Sequence, residues 1–306
     1  MEHVHTIHLR APILPLLQHS VHSTVFLPNL SSLFIYLIYD NLDVFDPNSV
    51  LDVSFTHFPH LRQLVVVPDR RSAPIYLDEG EASNYVDFFS EAIEASSSVI
   101  VHLDLLYHLF PFERMAGLSL TSLRSLVLRG QISPQTPTSL ITFIATVPQL
   151  SDLVVDLLVN DGRHGSHFSV FPDNPPMTPI PELRRLTLAN PHPLDCIFQN
   201  LPTDMQFLSL PSLPPQRNIL DGSWYRELAL SSSAAFRTLE KCTASRLVEF
   251  RISILGLLKP ELLTLIAQTF PVLERFELRY RESFSATESI LDVGEHKSPV
   301  RFLLVT

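Results

Sequence analysis

Cysteine, glycine, tryptophan and charge are all scarce in this chain, and each shortage excludes something. Two cysteines in 306 residues, Cys196 and Cys242, are too few for the bridges that staple a secreted repeat protein. A reducing compartment, cytoplasmic or nuclear, is therefore the expected setting. Eight glycines leave no Gly-x-x-x-x-Gly-Lys phosphate loop, no Gly-x-Gly-x-x-Gly and no Gly-x-Ser-x-Gly, which excludes nucleotide binding and serine-hydrolase chemistry by those routes. No Cys-x-x-Cys pair exists to hold a zinc ribbon. Charged residues make up only 18% against 45% hydrophobic, so the composition is that of a folding chain and not of a solvating linker. The 22 Lys+Arg against 32 Asp+Glu give a formal charge of -10, which repels phosphate backbones and argues against a nucleic-acid partner. A membrane partner is not expected either. The best apolar window, 99–110, falls short of the ~20 residues a membrane helix needs and is interrupted by His102, Asp104 and His108. The start, Met1-Glu2-His3-Val4-His5, does not fit a secretory signal.

What the chain has in excess is leucine, at about one residue in six. It is placed with a period. An apolar residue, two variable residues, an apolar residue, one variable residue and another apolar residue recur, with a proline two positions before the first. Clear copies are Pro28-Asn29-Leu30-Ser31-Ser32-Leu33-Phe34-Ile35, Pro59-His60-Leu61-Arg62-Gln63-Leu64-Val65-Val66 and Pro148-Gln149-Leu150-Ser151-Asp152-Leu153-Val154-Val155. Two more begin at Pro181 and Pro271, and Leu120-Thr121-Ser122-Leu123-Arg124-Ser125-Leu126-Val127-Leu128 lacks only the proline. Weaker copies, starting at Val4, Ile100, Met205, Leu247 and Val300, bring the starts to eleven and the mean interval to roughly 30 residues.

The last four positions of each copy alternate in the manner of a short half-buried strand. Between copies the spacing turns helical: Pro137 leads into Leu140, Ile141 and Ile144, Pro260 into Leu262, Leu265 and Ile266, and Val86, Phe89 and Ile93 share a face. A strand, a turn and a helix repeated about every 30 residues predict an α/β leucine-rich-repeat solenoid, or horseshoe, with a concave parallel sheet and convex helices. One such solenoid is expected to span 1–306, with insertions at about 68–98 and 160–181. The first insertion holds Asp69-Arg70-Arg71, an acidic loop over 78–81 and the Val86–Ile93 helix. The second is rich in glycine, histidine and proline. Neither end of the ladder carries a polar cap, so the chain is expected to be a fragment or a truncated product, or to have its ends covered by another chain.

The Pro-x-Leu-x-x-Leu/Phe-x-Leu/Val segments beginning at Pro28, Pro59, Pro148, Pro181 and Pro271 resemble leucine-rich-repeat proteins of the ribonuclease-inhibitor-like kind, in particular the repeat regions of fungal F-box proteins. The family's turn asparagine or cysteine, eight positions after the first Leu, is absent. Asp69, Gln131, Leu158, Pro191 and Arg281 stand there instead. The F-box itself is not found. The segment Leu258-Lys259-Pro260-Glu261-Leu262-Leu263 resembles its opening but lies inside the ladder, where a repeat helix is expected. The resemblance implies that, with an F-box supplied outside this chain, a ubiquitin-ligase adaptor joins the partners and the bound protein is a substrate for ubiquitination.

In every repeat the fourth and sixth positions point into the core, which leaves the third, fifth and seventh on the concave face. The candidate partner-binding residues follow: Phe34, Tyr36, Val65 and Val67 at the early end, His102, Asp104, Arg129, Asp152 and Asp156 in the middle, and Arg185, Arg251, Arg275 and Arg279 at the late end. The early end reads apolar and aromatic, the late end charged. No cofactor is expected, and the histidines (His3, His5 and His8; His164 and His167) read as surface residues before metal ligands. His102 and Asp104 share a strand face, but without a nearby nucleophile identifiable from sequence they read as satisfied polar residues. The expected function is non-enzymatic: binding of a protein or peptide on the concave sheet. The alternatives are a hydrolase or lyase on an all-β solenoid, and a degenerate paralogue without activity.

Overall fold

A computed structural model describes residues 4–11, 29–37, 59–68, 79–115, 117–132, 137–159, 169–172, 179–189, 191–212, 230–281 and 300–305. The repeated turn explains the architecture. In Val147-Pro148-Gln149-Leu150, Ile180-Pro181-Glu182-Leu183 and Phe270-Pro271-Val272-Leu273 the N–H of the fourth residue donates to the carbonyl of the first, at 3.3, 3.2 and 3.2 Å. Proline holds φ near the value that the second position of such a turn requires, so its place in the motif has a local cause. Leu120-Thr121-Ser122-Leu123 closes the same turn without proline, at 3.1 Å.

Each turn feeds a short strand. These are β1 (Thr6–Ala11), β2 (Ser32–Leu37), β3 (Gln63–Pro68), β4 (His102–Leu106), β5 (Ser125–Ile132), β6 (Asp152–Val159), β7 (Arg185–Leu188), β8 (Phe207–Leu210), β9 (Glu249–Leu255), β10 (Arg275–Arg281) and β11 (Val300–Val305). They lie in chain order in one 11-stranded sheet. From β1 to β10 every pairing is parallel and in register, so third aligns with third, as in Ser32↔Gln63, Gln63↔His102 and Ser125↔Asp152. The weaker copies at Val4, Ile100, Met205 and Leu247 are all strands of this ladder.

The expectation for the copy at Val300 is overturned. β11 runs antiparallel to β10, with Arg275 opposite Val305 and Tyr280 opposite Val300, so it is no eleventh parallel rung. Alternating apolar residues specify a strand but carry no direction. The acidic stretch 78–81 is corrected in part, because residues 79–81 are helical and not loop, while Asp78 lies outside the described residues.

A second ladder, made by the turns, joins the repeats at the start of each strand. The carbonyl at the second position of each repeat accepts two N–H groups from the next: Arg62 and Gln63 donate to Ser31, Ser151 and Asp152 to Arg124, Glu274 and Arg275 to Val248, all at 2.8–3.0 Å. The same step occurs between all ten parallel strands. These backbone carbonyls tie each repeat to the next at the N-terminal ends of the strands.

Among the described residues the helices are α1 (Glu79–Ala95), α2 (Phe112–Met115), α3 (Pro137–Ala145), α4 (Ser232–Leu239) and α5 (Pro260–Thr269), and their buried residues pack against one face of the sheet. Ser231 caps α4, its Oγ accepting from the Ala234 N–H at 3.1 Å. Pro260 opens α5, and Leu262 and Ile266, one turn apart, are buried. That segment forms a helix between β9 and β10, where its position in the ladder predicts one. Fourth- and sixth-position residues such as Leu64, Leu126, Leu128, Leu186 and Leu188 have no solvent exposure and share one core with Phe89, Ile93, Leu140 and Phe143 of the helices. Phe110 packs edge-on against Phe143 at 4.8 Å, and Phe250 lies 5.2 Å from Phe270.

The 68–98 stretch therefore contains a core helix. In the second stretch, Val170, Phe171 and Ile180 are buried in the same core. Asp195 ties this segment down: its carboxylate accepts from Ser169 Oγ at 2.6 Å, Phe171 N–H at 2.9 Å and His192 N–H at 2.6 Å. Burial raises its pKa to about 6, against the downward pull of those donors. Residues 69–71, 160–168, 173–178, 213–218 and Trp224 lie outside the described residues, and with them His164 and His167.

Candidate functional site

Opposite the helices, the third and fifth positions of β1–β10 form two aligned columns across the sheet, and the seventh positions align with them within β1–β3, β4–β6 and β9–β10. The parallel register brings side chains from successive repeats side by side, about 4.7–4.9 Å apart. Three zones follow one another along this open face.

The first zone, on β1–β3, is aromatic and apolar. The His8 ring stacks on Phe34 with centroids 4.5 Å apart and planes 3° apart, and on Tyr36 at 6.1 Å. Tyr36 Oη lies 3.4 Å from His8 Nδ1. Val65 is nearly covered and Val67 is half-buried, beside Phe34 and Tyr36 in register.

The second zone, on β4–β6, is acidic around one arginine. Arg129 grips Asp104 with both edges of the guanidinium fork, Nε to Oδ1 at 3.1 Å and Nη2 to Oδ2 at 3.2 Å, and its Nη1 lies 3.8 Å from Asp156. Burial is the largest single influence and opposes the Arg129 charge, but the hydrogen bonds to Asp104 together with the charges of Asp104 and Asp156 leave the guanidinium pKa raised. Burial also raises the Asp156 pKa, with Arg129 pulling the other way. His102 Nδ1 lies 2.8 Å from Ser125 Oγ, and burial lowers the imidazole pKa despite nearby Asp104. The sequence places this serine on the same face, one repeat later at the same position, but does not reveal its closeness to His102. An imidazole beside a hydroxyl invites a nucleophile reading, yet the strand N–H groups around it are spent on the parallel ladder. No oxyanion donor is left among them, and Arg129 already holds Asp104.

The third zone, on β7–β10, is a ladder of alternating charge. Arg185 Nε contacts Asp152 Oδ1 at 3.3 Å, and its guanidinium lies over the Phe207 ring, 4.3 Å from the centroid. Arg251 approaches the same ring at 5.3 Å. Arg251 donates to Glu249 Oε1 through Nη2 at 2.5 Å and Nε at 2.8 Å, and its Nε lies 3.5 Å from Glu277 Oε2. Arg279 Nε donates to Glu277 Oε1 at 2.9 Å, and Arg275 Nη1 stands 3.8 Å from Glu249 Oε2. The two β8 residues of this face, Phe207 and Ser209, were not named from the sequence. The weak copy at Met205 places Phe207 third and Ser209 fifth in its repeat, so the signal was present.

Among the described residues no group of three His, Cys, Asp or Glu side chains is arranged to hold a metal ion. His5 Nδ1 lies 3.1 Å from the Asn29 carbonyl oxygen, and His8 is in the aromatic stack. Burial pushes the Cys242 thiol up to about 11, far from a reactive thiolate, and Cys196 is buried. No described helix is long and apolar enough to cross a membrane. A scan against protein-family models and a search of curated proteins return no match for this chain.

Proposed function

We propose that the chain is a leucine-rich-repeat solenoid that binds a protein partner on its concave sheet face and has no catalytic role of its own. One observation carries the reading. Ten parallel strands in unbroken register present two continuous columns of side chains opposite the helices, graded from an aromatic cluster through an acidic zone to an arginine-rich ladder. Aromatic residues and arginine are the types that anchor protein interfaces, and a graded charge fixes the orientation of a partner. The helices between strands support this over the all-β hydrolase alternative. Joined to an F-box outside this chain, the same face would select a substrate for a ubiquitin ligase, as the resemblance implies.

The test is recovery of a co-purifying partner by paired variants of equal thermal stability. Tyr36→Ala combined with Val67→Asp, on the open face, is expected to lose the partner. Glu91→Lys combined with Glu94→Lys, on exposed positions of α1, is expected to keep it. Equal recovery by both pairs contradicts the proposal.

A further inference from the structure

We propose that a cleft of about 250 Å³ on the open face of β7–β10 is a carboxylate site, which receives an Asp or Glu side chain of the partner. This inference rests on the partner-binding reading and goes further by giving that partner an acidic anchor. The cleft is lined by Thr187, Ser209, Arg251, Ser253, Glu277 and Arg279, with Pro211 and Ile252 behind them.

Two independent features point to an anion. The first is unused donor capacity on the arginines. Arg279 spends its Nε on Glu277, and Arg251 spends Nε and Nη2 on Glu249. Both terminal nitrogens of Arg279 and Nη1 of Arg251 have no acceptor among the described residues. The planar fork of each is thus half free, and a guanidinium edge matches the two oxygens of a carboxylate.

The second feature is a pair of hydroxyls without partners. Ser209 is 8% exposed and Ser253 6% exposed, both line the cleft, and neither hydroxyl has a hydrogen-bond partner among the described residues. Both hydroxyls open onto the cleft, where each is free to donate to an anion. An incoming carboxylate accepts from both serines and from the free arginine edges at once.

Charge decides between a carboxylate and a phosphate. Two guanidiniums meet the carboxylates of Glu277 in the lining and Glu249 beside it, so the site is close to neutral and suits a monoanion better than a dianion. Against a formal charge of -10 over the whole chain, the arginines of this zone offer an acidic partner a local point of attraction.

The test uses fluorescence anisotropy of labelled hexaglutamate against the full chain, with hexaglutamine and a phosphoserine hexapeptide as comparisons. Hexaglutamate is expected to bind saturably and at least tenfold more tightly than hexaglutamine, the preference shrinking at high salt. Arg279→Gln is expected to weaken it about tenfold, and Ser209→Ala with Ser253→Ala several-fold at unchanged thermal stability. Arg237→Gln, on α4, leaves binding unchanged. Hexaglutamate binding no tighter than hexaglutamine, or indifferent to Arg279→Gln and to the double serine variant, overturns the site. A phosphopeptide that binds more than tenfold tighter than hexaglutamate overturns the carboxylate assignment. If hexaglutamate fails while Tyr36→Ala with Val67→Asp still loses the partner, the acidic anchor falls and the binding face stands.

Discussion

Strands β1–β3 and strands β7–β10 share one backbone plan and almost nothing on their open face. Both ends use the same register and the same two-donor bond to the second-position carbonyl, as at Ser31 and at Val248. In the early strands the face is a ring stack of His8 on Phe34, flanked by Val65. In the late strands Arg185 and Arg251 lie over Phe207, among Glu249, Glu277, Arg275 and Arg279. The architecture depends on the turn and on the fourth and sixth positions, while the third, fifth and seventh are free to differ. Selection for a partner can therefore act on the open face without disturbing the core.

Energetics should separate these roles. The largest effect is expected inside the late core. Phe250 is wholly buried, with its ring 5.2 Å from Phe270 and 5.8 Å from Phe276, so Phe250→Ala should cost about 3–5 kcal/mol in urea unfolding. Phe34→Ala on the early open face should cost about 1 kcal/mol. Equal costs would erase the distinction between packing and display positions.

Between the two ends, two buried groups titrate with opposite signs. Asp195 has its pKa raised to about 6 by burial, so the folded chain holds a proton there that the unfolded chain has lost. Its contribution to stability is greatest near pH 4 and is lost as pH rises through 6, about 2–3 kcal/mol in all. Burial lowers His108 to about 4, so its contribution is present above pH 6.5 and lost as pH falls towards 4. In urea titrations between pH 4 and 6.5, Asp195→Asn should make stability rise more steeply with pH than in the parent chain. An unchanged slope would show that Asp195 titrates normally.

A smaller effect belongs to the middle zone. Arg129→Ala strips the fork from Asp104, whose side chain is only 11% exposed, at a cost of about 2 kcal/mol. The smallest belongs to the late face, where Arg275 is 70% exposed. Arg275→Ala should change stability by less than about 0.5 kcal/mol, and 1 M salt should remove what little it contributes.

Much of this was legible in the sequence because its cause is local. Proline two residues before the first leucine writes the turn, and alternation writes the strand, which is why Leu61, Leu150 and Leu183 all occupy buried turn positions. What escaped depends on partners distant in sequence. Strand direction is invisible to a two-residue period, so β11 read as parallel. The Ser125 hydroxyl beside His102, the Phe207 ring under two arginines and the Asp195 carboxylate pinning residues 169–171 exist only once repeats are stacked. The open-face residues were legible as positions, while their pairing into ion ladders required the register.

Photo-crosslinking from defined positions tests the central claim most directly. A photoreactive phenylalanine analogue is placed in turn at 36, 67 and 275 on the open face, and at 91, 142 and 264 on the helix face. The account predicts that one partner is crosslinked from the open-face positions and not from the helices. Crosslinks to that partner from 91, 142 or 264, with none from 36, 67 or 275, would contradict it.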